Sequence, residues 1–116
     1  MLAPAADLVL LYVTCPSHEV AEALAAPLVE EGLVACANLL PGLTALYRWQ
    51  GALQRDTECL LLLKTLRERA DEVATRLRAA HPYETPCILL LPVDAGLPDY
   101  LDWLRASVLP PALRSK

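Results

Sequence analysis

The chain has no phenylalanine, one methionine, four glycines, two histidines and only two lysines, Lys64 and Lys116, in 116 residues. Its eight arginines are scattered and the net charge is −4, so no basic stripe or tail exists to neutralise successive phosphates. Nucleic acid is thereby excluded as the main partner. No Gly-x-Ser-x-Gly elbow, Walker loop or His-Glu-x-x-His array occurs, and hydrolase, nucleotide-transferase and metallopeptidase readings lack their chemical parts. The four cysteines, Cys15, Cys36, Cys59 and Cys87, stand far apart in apolar contexts. They lack the close pairs of a zinc ribbon and read mostly as buried thiols rather than disulfides. No apolar run approaches the roughly twenty residues needed to cross a bilayer. The start Met1-Leu2-Ala3-Pro4 carries no positive n-region, and the expectation is a cytoplasmic protein with no membrane partner.

What is abundant is small and aliphatic. The hydrophobic fraction is 55%, supplied mainly by leucine and alanine, against 21% charged residues, which predicts a folded domain rather than a disordered chain. The length suits one domain over 1–116, with short flexible ends at 1–6 and 110–116. So apolar a small protein is expected to hide further surface between subunits.

Asp7 to Val13 predicts a buried strand, with Leu8 to Val13 too short and too uniformly apolar for a surface helix. Val20, Leu24 and Leu28, flanked by Ala21 and Ala25, recur at helical spacing; Pro27 should bend that helix and Gly32 should stop it. Val34 to Trp49 reads as extended and bulged near Pro41-Gly42, and a turn at Gln50-Gly51 leads into a strand from about Leu53 to Lys64. On that strand Glu58, Leu60, Leu62 and Lys64 share one face, Cys59, Leu61 and Leu63 the other. Glu58 and Lys64 lie about 20 Å apart along it and cannot pair with each other. Thr65 and Glu68 have capping-box spacing before a second helix that ends near His81, as Pro82 requires. Ile88 to Val93 is a fourth strand, and a short helix from Asp99 presents Leu101, Leu104 and Val108 on one side.

This order predicts an α+β, ferredoxin-like β-α-β-β-α-β sandwich with a short C-terminal helix, its mostly antiparallel sheet in spatial order 4-1-3-2. The strands are apolar on both sides, so the sheet face without helices needs a cover that another subunit could provide.

The segment His81-Pro82-Tyr83-Glu84-Thr85-Pro86 concentrates chemistry. Its two prolines fix φ and remove two amide donors, presenting polar side chains from a restrained backbone. Two readings of His81 stand side by side. It is a metal ligand, with Cys87 and Glu84 nearby to suit Cu(I) or Zn(II), or it is a helix-terminating residue that needs no ligand. Cys36, among Ala35, Ala37 and Leu39, reads first as a strand residue. Tyr47 and Trp49 read as packing anchors of the hairpin or of subunits, and Tyr100 and Trp103 as helix-to-sheet packing. A Cys87–His81 nucleophilic pair has no orienting partner in the sequence, so the chain reads as a non-enzyme.

Six stretches in order, Thr14-Cys15-Pro16-Ser17, Ala35-Cys36-Ala37-Asn38-Leu39-Leu40-Pro41-Gly42, Tyr47-Arg48-Trp49-Gln50-Gly51, Lys64-Thr65, His81 to Pro86 and Tyr100-Leu101-Asp102-Trp103, together resemble the CutA divalent-cation tolerance family. The resemblance implies a ferredoxin-like homotrimer, similar in architecture to the PII signalling proteins, that takes part in tolerance of or response to divalent metals, copper especially. It implies metal contacts at Cys36 and His81, with Glu84 and Cys87 added by their position, and no tightly bound cofactor. Tyr83, Tyr47, Trp49 and Lys64 look like parts of an inter-subunit cleft, and Trp103 like trimer packing. Two departures stand out. Val13 occupies a place where some members carry cysteine, with Cys15 two residues on, and Cys87 follows Pro86 where many carry glutamate. A PII-like signalling or scaffold module that binds a small ligand or protein at its clefts is the alternative that the same resemblance allows.

Overall fold

The chain runs β1 (Ala3–Pro4), β2 (Leu8–Cys15), α1 (His18–Glu30), β3 (Cys36–Trp49), β4 (Ala52–Leu66), α2 (Ala70–Ala80), β5 (Ile88–Pro92), β6 (Ala95–Gly96) and α3 (Pro98–Ser107). The computed structural model describes residues 1–110. β2 to β5 form one antiparallel sheet in the order β3-β4-β2-β5. This is the ferredoxin-like arrangement, in the spatial order that the sequence predicts.

β2 outlasts its predicted end by two residues, because Thr14 and Cys15 still pair with Leu60 and Cys59 of β4. Pro16 follows and has no N–H to extend the ladder. Ser17 then caps α1, its Oγ accepting from the Val20 N–H at 3.1 Å, which satisfies one of the donors orphaned at a helix start. The helix continues through Pro27 to Glu30. Gly32 ends it with φ +74°, a left-handed conformation that a Cβ disfavours.

From Val9 onward β2 alternates, burying Val9, Leu11, Val13 and Cys15. With Leu61 and Leu63 of β4 these meet Ala21, Leu24, Ala25 and Leu28 of α1 and Ala70, Val73 and Leu77 of α2. Each fully buried leucine contributes about 1.5–3 kcal/mol relative to exposure. A smaller cluster, Ala5, Leu8, Leu101 and Leu104, seats α3. Within residues 1–6, Ala3 and Pro4 form β1, which pairs with β6, and Ala5 is fully buried. Of the 110–116 tail, residues 111–116 lie outside the described residues.

The capping box expected at Thr65 and Glu68 is replaced by something else. The β4–β2 ladder runs on to Leu66, opposite Leu8, so Thr65 still faces the core. Fully buried there, its hydroxyl donates to the Leu33 carbonyl at 2.8 Å, since a buried hydroxyl needs a partner. A 3-10 turn at Arg67–Arg69 intervenes, and α2 starts with no side-chain cap.

On the other face of the sheet α3 covers only the end around Leu8 and Lys64, and among the described residues the rest of that face has no helix over it. Leu40, Leu89 and Leu91 are 62, 56 and 40% exposed. β3 and β4 shift register between Leu40 and Leu43, the bulge expected near Pro41-Gly42, and turn at Gln50 and Gly51, both with positive φ. Among the described residues no helix is long and apolar enough to cross a membrane.

Candidate functional site

His81 is the C-terminal cap of α2, its N–H donating to the Leu77 carbonyl at 2.8 Å. Extended backbone there, ahead of Pro82, turns the ring under the end of β2. Its Nδ1 accepts from the Tyr83 N–H at 3.1 Å, and its Nε2 lies 2.9 Å from the Thr14 carbonyl. Because Tyr83 supplies a hydrogen to Nδ1, the ring proton sits on Nε2 and is donated to Thr14. The residue is buried and tilts against the Tyr83 ring at 4.8 Å. Both nitrogens are thus engaged by backbone, and a metal ion could reach either only by displacing one of these bonds.

Past this anchor the loop crosses the end of β2 to the base of the hairpin. Tyr83 donates its hydroxyl to Glu58 Oε2 at 2.8 Å, and Tyr47 donates to Asp56 Oδ2. Between hairpin and loop lies a cleft of about 630 Å³, lined by Tyr47, Trp49, Asp56, Glu58, Tyr83, Glu84 and Cys87, with Thr14 and Thr85. Its wall combines three carboxylates, a thiol and an indole, and Trp49 is 62% exposed.

The electrostatics follow from that crowding. Desolvation, and then the hydrogen bond to Glu58, push the Tyr83 phenol well above its ordinary range; the bond to Asp56 pushes Tyr47 upward. Both phenols remain donors that hold carboxylates in place.

The residues singled out in the sequence fall into separate places. Glu84, Cys87, Tyr47, Trp49 and Tyr83 share the cleft, while His81 is sealed behind it. Cys36 is half-buried at the start of β3, with Asn38 Oδ1 4.0 Å from its sulfur, opposite Lys64 on β4. Lys64 donates to the Tyr100 hydroxyl at 2.9 Å and lies 5.2 Å from its ring centre, and Trp103 stacks on Tyr100 at 5.6 Å. That pair links α3 to β4 through Lys64, yet Tyr100 and Trp103 stay 41 and 49% exposed rather than packing into the core. Among the described residues no three His, Cys, Asp or Glu side chains converge to hold a metal.

Sequence reasoning missed Asp56 and Thr14, and placed Glu58 on one face of the strand without a partner. Asp56 pairs with Ala45 beyond the bulge and reaches Tyr47 diagonally on the same face, a register that strand alternation alone does not set. The available signal was the acidic run Asp56-Thr57-Glu58 a short turn away from two aromatics.

Residues 9–107 match the family described as "CutA1 divalent ion tolerance protein". The chain belongs to that family. It is 50% identical over 93 residues to the divalent-cation tolerance protein CutA of Thermus thermophilus, covering 80% of this chain and 90% of the relative. Identity to the CutA homolog of Xenopus laevis is 43% over 93 residues, 80% of this chain but 62% of the longer relative. Among solved structures, CutA from Synechococcus elongatus aligns with a TM-score of 0.88 at 40% identity, over 94% of this chain and 96% of the other. Membership in the CutA1 family accords with the non-enzymatic reading of the sequence.

Proposed function

We propose that this CutA1-family protein serves divalent-metal tolerance or response in the cytoplasm, as a homotrimer whose clefts take up a divalent cation weakly, copper or zinc, as cargo. The observation that carries this reading is the cleft itself, where Glu84 and Cys87 share a solvent-open volume with Asp56 and Glu58. Carboxylate oxygens and a thiolate offer mixed hard and soft donors. The ligand set therefore moves from His81 and Cys36 toward Glu84 and Cys87. With no converged triad, tight coordination is not expected; the ion is held in passing or completed by a neighbouring subunit. All four cysteines are unpaired, which suits a reducing compartment.

A second reading has an observation of its own. Trp49 and Tyr47 give the cleft an aromatic wall that a bare metal ion does not need and a small organic ligand would use, as in a PII-like signalling or scaffold module.

Calorimetric titration of reduced protein with Zn(II) and Cu(I) separates these ideas. Cys87→Ser and Glu84→Gln should each weaken binding about tenfold, by loss of roughly 1.4 kcal/mol, and His81→Ala should change it far less. Unchanged affinity in both cleft variants would overturn the metal reading in favour of the second.

A further inference from the structure

Cys15 and Cys59 are direct cross-strand partners in the antiparallel β2–β4 ladder. Side chains so paired point to the same side of the sheet, with Cα atoms about 4.5–5.5 Å apart, inside the roughly 4.4–6.8 Å range that disulfides span. Both side chains face the helix-covered core, at 0 and 1% exposure, and both thiols are free. Packing alone would be served by alanine or valine there; two apposed thiols add a reaction that those residues lack.

We propose that Cys15 and Cys59 form a reversible cross-strand disulfide when the protein meets a peroxide. One sulfur attacks a peroxide oxygen; the S–O bond forms, the O–O bond breaks, and the leaving hydroxide departs as water with the thiol proton, leaving a sulfenic acid. The second sulfur attacks that sulfur; the S–S bond forms, the S–O bond breaks, and the second proton leaves with the hydroxide as water. Two thiols are oxidised to one disulfide and one peroxide is reduced to two waters. A peroxide suits a buried pair because it is small. Cys15 is the last residue of β2, so fraying of the strand end admits it without opening the sheet. Burial pushes the Cys15 thiol up to about 11, which makes the reaction slow and keeps the pair reduced otherwise.

The position gives the link a consequence. Cys15 follows Thr14, whose carbonyl holds His81, and Cys59 follows Glu58, which holds Tyr83. A disulfide would fix the spacing of the two strands directly behind the cleft, whatever the cleft binds, and would close a loop containing α1, β3 and the hairpin turn.

The test is peptide mapping of the full-length protein after hydrogen peroxide treatment, with remaining thiols alkylated under denaturing conditions. A Cys36→Ser/Cys87→Ser background removes the two more accessible thiols, and wild-type protein mapped in parallel answers the same question should that variant fold poorly. The expected result is a Cys15–Cys59 linked peptide pair, lighter by two hydrogens, reversed by dithiothreitol, and a thermal midpoint raised by several degrees in the oxidised form. Alkylation of both Cys15 and Cys59 after peroxide, or their appearance only as sulfinic acids or in other linkages, would overturn the proposal.

Discussion

Tyr83 shows how one residue joins the two halves of the site, with its amide on His81 Nδ1 and its hydroxyl on Glu58. The phenol is held neutral, its pKa raised first by desolvation and then by that bond. A raised folded-state value means that the stabilisation is fully present below the unfolded phenol value of about 10 and is lost as pH climbs through the higher folded one. Tyr83→Phe should therefore melt lower than wild type near neutral pH, and the gap should close in the strongly alkaline range. A gap that stays constant there would contradict this role. His81 illustrates what a sequence can and cannot disclose about a residue. Its place at the end of α2 follows from Pro82, but its commitment to Thr14 depends on where β2 ends, a contact across 67 positions. Local sequence left it open as a ligand or a helix end; the fold adds the two backbone partners that its ring meets.

Elements were the most legible level. Strand alternation on β4 separated Cys59, Leu61 and Leu63 from Leu60 and Leu62 correctly, because one face is buried under α1 and α2 and periodicity records that burial. The start of α2 was not legible, since Thr65-x-x-Glu68 fits a capping box and only the length of the β2–β4 ladder takes Thr65 into the core. Turns obey similar logic, and two glycines with positive φ allow a comparison. At Gly51 an added Cβ meets open space, whereas at Gly32 it would lie 2.5 Å from Leu109 Cγ. Gly51→Ala should cost about 1 kcal/mol from the left-handed backbone alone, and Gly32→Ala clearly more. Chemical denaturation measures both, and equal losses would show that the Leu109 side chain yields at no cost.

At the scale of the molecule the sheet is half covered. Leu40, Leu89 and Leu91 on the less covered side, Trp49 on the same face of the hairpin and Leu46 and Leu53 on its opposite face remain exposed on the described chain, apolar area that favours self-association. Light scattering of dilute protein should give about three chain masses, the homotrimer proposed above; a stable monomer would reject it. The fold was readable because strand alternation, helical spacing and the turn and stop residues agreed with it. The cleft was read only in part, because its acidic wall is assembled by the hairpin register, and that is set by a bulge rather than by a motif. The most direct test of metal capture at Glu84 and Cys87 is anomalous diffraction from reduced crystals soaked in zinc. A peak within coordination distance of Cys87 Sγ and a Glu84 oxygen is the outcome expected, and a peak on the His81 ring with none in the cleft would contradict it.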